Sequence, residues 1–414
     1  MTSIALTDWR SQISTLLGVQ VSDQLKAMRS LALGLTWLAV VSGAIAISEP
    51  AITDVLMIGL ILLLPIAGLA ALNQALILLL CVWMIAGASA LIASSQADDF
   101  SRAVIHSSVS IYLYLAFFVL AAFIAKRPAA HTRLVLQAYV GAAILTSAIV
   151  ILGYVGLVTG TDNQLGHFDY TGVALANPGL LGSFLVPPLL YTLHLMISRP
   201  LTDAIAPACV FVLMGFAILV GSRPDAGMNL AIAGTVYVFF AFTTSPIQLQ
   251  RLKLILVAAL GSVALASILV VSTQQPQTSQ ILAERAKAGQ ASEVEYTKRL
   301  DRYNRLVTTI PIKPIGIGAL EFGEHYHSEQ PGNVYLNMML QSGWIGGLIF
   351  IAITILTVIV GFAHAIKPSR LQSMIIIAYS AFLGLAVQGL TSDLDHWRHY
   401  YLIMAILWGL IASN

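Results

Sequence analysis

The stretch "GEHYHSEQPGNVYLNMML", residues 323–340, gathers Glu324, His325, His327 and Glu329 directly ahead of Pro331, Gly332 and an apolar run that opens at Asn333. An imidazole titrates near neutrality, so either histidine could take a proton from a hydroxyl. Two solvated loop residues are the plainer alternative. A helix beginning at Asn333 turns its first N–H groups toward the same place, which favours an anion. Lys298, Arg299, Arg302 and Arg305 share one face of the preceding segment. Guanidinium forks suit a diphosphate. The same cations could equally contact lipid headgroups or pair with Glu295 and Asp301 at helical spacing. Arg223 stands in "GSRPDAG", a tight hairpin where Asp225 offers a local partner. Asp393, Asp395, His396 and Arg398 form a last cluster, either lining the same cavity or making surface ion pairs. The chemistry these types point to is binding of a phosphate-bearing group beside an acid–base residue.

The elements that must carry these residues are membrane spans. The chain is 58% hydrophobic and 10% charged over 414 residues. A soluble domain carries about 25% charged residues. Apolar runs long enough to cross a bilayer core recur along the whole sequence. We expect an all-α polytopic membrane protein with twelve spans at 30–48, 52–72, 75–95, 104–125, 133–158, 176–197, 203–221, 226–244, 253–272, 334–364, 371–390 and 398–413. Residues 1–29 contain no signal core. Trp9, Ile13, Leu16, Leu17, Leu25 and Met28 are expected on a separate helix lying on the membrane surface. One set of loops holds most cations, among them Arg10, Lys26, Lys126, Arg127, Arg199 and Lys367. The opposite loops are acidic. The positive-inside rule then makes both termini cytoplasmic and sends the long segment 273–333 outward. Cys81 and Cys209 lie within apolar runs and read as small core residues. The span interiors hold few ionisable groups, which speaks against ion-coupled carriage.

Within 273–333, Tyr296, Leu300, Tyr303, Val307 and Ile310 recur on one helical face. Ser292 with Glu295 forms a capping-box start, and Pro311 stops the helix. The continuous stretch Asn333 to Ala365 is too long for one span, so its first turns should stand at the membrane edge. Gly343, Gly346 and Gly347 allow another helix close approach there.

These motifs resemble the O-antigen ligase and O-antigen/exopolysaccharide polymerase superfamily, from about the fifth span onward. "VGSRPDAG" is similar to its Ser-Arg motif at the outer end of a span. "KRLDRYNRLVTTIPIKPIGIG" resembles its pattern of an arginine, an aromatic four residues on, then Pro and Gly-x-Gly, filled by Arg299, Tyr303, Pro314, Gly316 and Gly318. "GNVYLNMMLQSGWIGGL" resembles its His-Asn-x-Tyr-Leu stretch, with Asn333 and Tyr335 in place. "YTGVALANPGLLGSFL" and "DLDHWRHYYLIMAILWGL" also look like family stretches. The family histidine before Asn is Gly332 here. His327 and His325 stand five and seven residues ahead of it.

The resemblance implies a glycosyltransferase-C-like membrane fold and a glycan donor carried on undecaprenyl diphosphate. It implies transfer to an acceptor sugar hydroxyl with no metal and no other cofactor. It gives Arg223 and Arg299 the leaving diphosphate and a histidine the acceptor hydroxyl; with that histidine replaced by Gly332, we expect His327 to act in its place, with Glu324 and Glu329 in reserve. Arg302, Arg305, His325, Glu324, Asn333, Tyr335 and Arg398 are then expected to line the diphosphate and glycan site. The leading expectation is a polymerase of lipid-linked repeat units at the periplasmic face of a bacterial inner membrane. A ligase moving glycan to lipid A-core or another acceptor is the alternative, and a lipid-linked glycan transporter or flippase the alternative of another class. Expected partners are the donor, the acceptor, the bilayer and a chain-length regulator, with no nucleic acid.

Overall fold

The computed structural model describes residues 5–44, 51–154, 178–221, 224–244, 252–255, 257, 292–325 and 332–414. Side chains at 5–23, 154, 178–180, 220–221, 224–226, 292–299 and 324–325 lie outside the description. Among the described residues every regular element is helical. They are α1 (Ala5–Ser42), α2 (Ile52–Ile66), α3 (Gln74–Ser94), α4 (Phe100–Lys126), α5 (Pro128–Tyr154), α6 (Pro178–Ser198), α7 (Leu201–Gly221) and α8 (Pro224–Thr244). Then come α9 (Ser292–Thr309) with a 3-10 turn (Ile310–Ile312), α10 (Glu321–His325), α11 (Val334–Gln341), α12 (Gly343–Ile366), α13 (Gln372–Gln388) and α14 (Arg398–Ala412).

Eight described helices are long and apolar enough to cross a membrane. Three shorter apolar helices, α2, α13 and α14, stand where the sequence places further spans. The stretch 253–272 falls almost wholly outside the described residues. α1 departs from expectation, because it is one continuous helix rather than a surface helix followed by a span. Residues 19–33 contain neither glycine nor proline, so nothing local turns the chain between the two parts.

α14 forms the centre. Residues 399–410 are all buried, the state expected of a helix apolar on every side. It packs on α4 and α13. Beside it Trp83 of α3, itself fully buried, stacks on Tyr114 of α4 with ring centroids 4.3 Å apart. Cys81 and Cys209 are exposed, not buried. Lipid is as apolar as a protein core, so an apolar run does not tell the two faces apart.

The expected long helix from Asn333 is in fact two. It breaks at Ser342–Gly343, where Gly343 has φ +72. The Pro/Gly stretch after α9 seats in the break: Trp344 N–H donates to the Pro314 carbonyl and Ile317 N–H to the Leu340 carbonyl, both at 2.9 Å. A Cβ at Gly316 would lie 2.7 Å from Gly343 N, so the two backbones meet with no room for side chains. α9 itself starts at Ser292 as expected and ends at Thr309, where the 3-10 turn that contains Pro311 takes over. Its buried edge differs. Leu306 and Arg302 are buried, with Ile310, against Ile317, Phe322 and Leu340. Leu300 and Val307, on the helical face that the sequence marks as apolar, are 42% and 56% exposed.

Candidate functional site

One end of the bundle collects the polar side chains. α9 is fastened there by Tyr303, whose hydroxyl donates to the Leu390 carbonyl at 2.9 Å, just past the end of α13. Asn333 caps α11. Its side-chain oxygen accepts from Tyr335 N–H and Leu336 N–H, both at 3.1 Å, and its amide donates to Leu390 O. Val334 N–H donates to Gly389 O at 2.9 Å. The first N–H groups of α11 are therefore taken. The anion site expected at this helix start is filled by the protein's own cap and carbonyl.

Ahead of the cap, Gly332 N–H donates to Asp393 Oδ2 at 2.9 Å. Asp393 Oδ1 is buried and has no hydrogen-bond partner among the described residues. Burial, and next the neighbouring Asp395 charge, push the Asp393 carboxyl up to about 7, against the pull of the Gly332 and Asn333 N–H groups and Asn337. Asp395 is buried in the same loop, and burial likewise raises its carboxyl. His396 follows, with Nε2 2.8 Å from Ser110 Oγ, and burial lowers it to about 4. Its ring lies against His106 of α4, centroids 3.6 Å apart. Glu321 closes this end by accepting from Asp98 N–H at 3.1 Å, next to the start of α4.

No family model matches this chain, and no curated protein matches its sequence.

Of the residues expected in a site, the structure joins two, Asn333 and Tyr335, at one carbonyl-rich corner. Asn333 and Tyr335 open α11, with the Tyr335 hydroxyl donating to Ala386 O. Arg302 is buried on the inner side of α9, and Arg305 is exposed one turn later. Arg398 stands apart from them. Its Nε and Nη2 each lie 2.6 Å from an Asp54 carboxylate oxygen, a two-pronged pair between α14 and α2 that Tyr112 joins through its hydroxyl at 3.2 Å. That carboxylate takes the fork that the sequence reading assigns to a glycan. His327 and Arg223 lie outside the described residues, as do the side chains of Arg299, Glu324 and His325.

The Asp54–Arg398 pair is part-buried, 10% and 28% exposed. Removing one partner strands the other charge, which should cost about 1–3 kcal/mol once solvent access is allowed for. Asp54→Asn and Arg398→Gln are each expected to lower the unfolding temperature in detergent. The double variant should lose less than the sum of the singles. Simple additivity would show that the pair contributes nothing.

Sequence reasoning missed His106. It lies within an apolar span and belongs to no motif. The signal available was the pair of small polar residues on the same helix, Ser107 and Ser110, unusual within an apolar span.

Proposed function

We propose that this chain is a membrane glycosyltransferase that polymerises undecaprenyl-diphosphate-linked repeat units of O-antigen or exopolysaccharide, with its site facing the periplasm. The observation that carries the reading is the fastening of a basic helix, α9, onto the loop that holds Asp393, at one end of an all-helical membrane bundle. A helix that carries cations and a loop that carries the Asp393 carboxylate thereby meet at one corner. The sequence resemblance supplies the donor class.

In this reading the acceptor hydroxyl oxygen attacks the anomeric carbon of the donor glycan. The bond from that carbon to the diphosphate breaks, and undecaprenyl diphosphate leaves with the electron pair. Arg223 and Arg299 hold the developing charge. Asp393 Oδ1 takes the hydroxyl proton. The exposed strip of Leu300, Val307, Ile312 and Ile315 meets lipid, which sets α9 at the membrane surface where a polyprenyl donor arrives.

Arg223→Ala and Arg299→Ala are each expected to reduce transfer by about 10²-fold or more while protein accumulates, with lysine rescuing poorly. The test is the glycan ladder of a deletion strain complemented with each form. Single capped repeats in the deletion mark a polymerase. Full-length polymer retained on the carrier marks a ligase, and wild-type ladders from both arginine variants overturn the site. Reporter fusions after Ser279 and Pro368 read the orientation, and equal signals from the two would exclude it.

A further inference from the structure

We propose that His106, Asp395 and His396 bind a divalent transition-metal ion, zinc above all, which ties the loop before α14 to the outer turn of α4. One candidate donor atom from each residue lies within 4.8 Å of the other two. Two imidazoles and a carboxylate are a donor set that zinc accepts, with a fourth position left for water. Zinc bonds of about 2.0–2.1 Å in a tetrahedron require donors about 3.3 Å apart, so donors that lie within 4.8 Å of one another must draw together by up to about 1.5 Å. Turns about their side-chain torsions supply that movement.

The surroundings favour an ion. Asp395 is 8% exposed and lies within a helical membrane bundle, where a lone carboxylate is unfavourable. The nearest guanidinium along the chain, Arg398, is engaged by Asp54. The two imidazole rings lie 3.6 Å apart between centroids, tilted by 43°, so one ion can reach both. Ser110 sits on His396 Nε2 at 2.8 Å. Metal-binding histidines are commonly held in this way, by a partner on the nitrogen that does not bind the ion. The Asp395 carbonyl accepts from the buried Tyr401 hydroxyl at 2.8 Å, which fixes the loop from the other side. This inference does not depend on the glycan reading: it predicts binding, whatever the protein transfers.

The experiment uses the full chain purified in detergent without a histidine tag, stripped with chelator and then dialysed. Zinc is titrated calorimetrically, and cobalt is added in parallel for its absorption spectrum. Wild type should take up one zinc per chain. His106→Ala and Asp395→Asn should each weaken binding at least tenfold, and Ser110→Ala by a smaller factor, while His364→Ala on α12 should not. Folding of each variant is checked by gel filtration. If the variants fail to fold, the wild-type cobalt spectrum decides. A nitrogen and oxygen ligand spectrum supports the site, whereas a thiolate band would assign the metal to Cys81 or Cys209 and overturn it. Absence of stoichiometric zinc in wild type, or equal binding by His106→Ala and Asp395→Asn, also overturns it.

Discussion

Asp393→Asn is expected to stop glycan transfer almost completely while leaving the protein folded and inserted. Asparagine keeps the shape of the side chain and can still accept from Gly332 N–H, now 2.9 Å from Oδ2. It cannot take a proton from a hydroxyl. Loss of a positioned base typically costs roughly 10²- to 10⁴-fold in rate. The comparison is with His327→Ala in the same expression background, reading amount and length of polymer against protein level. A dead His327→Ala beside an active Asp393→Asn would move the base to the imidazole and leave Asp393 as a clamp on Gly332. Activity in both would mean that the acceptor needs no local base.

Gly343→Ala should unfold the site end of the molecule. A Cβ at this position would fall 2.5 Å from the Ile315 carbonyl oxygen and 2.7 Å from that of Pro314, both of them backbone. Its φ of +72 is strained for any residue with a side chain. The left-handed backbone costs about 1–2 kcal/mol, and overpacking adds about 1–3 kcal/mol. A fall of several degrees in unfolding temperature in detergent is the expected outcome, together with loss of transfer. Gly215→Ala is the control, since nothing lies within 4 Å of its Cβ. Equal melting of the two variants would show that the Pro/Gly stretch does not clamp the break between α11 and α12.

That break marks where sequence reading stopped short. The excess length of the apolar stretch from Asn333 was legible, and so were the Pro and Gly signals before it. That one occupies a gap in the other was not, because the contact between Pro314 and Trp344 joins segments far apart in sequence. α9 shows the same limit. Its limits followed from Ser292 and Pro311, which act locally. Its buried edge did not follow, because the helix has two apolar edges and only the placement of Leu340 and Phe322 selects Leu306. Arg302, placed by spacing on the polar face, goes inward with it. The site was half legible. Asp393, Asp395 and His396 stood out as charges before a span, but His106 became their neighbour only through the packing of α4 on α14.

α14 lies buried on all sides and follows every other described helix in the sequence. The ribosome therefore delivers the centre of the bundle after the described helices that surround it. Until Arg398–Ala412 leaves the translocon, the seam where Ile124 of α4 will press on Gly409, and Phe382 of α13 on Tyr400, must be filled by lipid tails or by an insertion chaperone. Chains stalled before residue 398 should crosslink to lipid from positions along that face of α4, and finished chains should not. The bundle then closes in one step as α14 enters it, and a chain arrested before residue 398 presents an open furrow to membrane proteases.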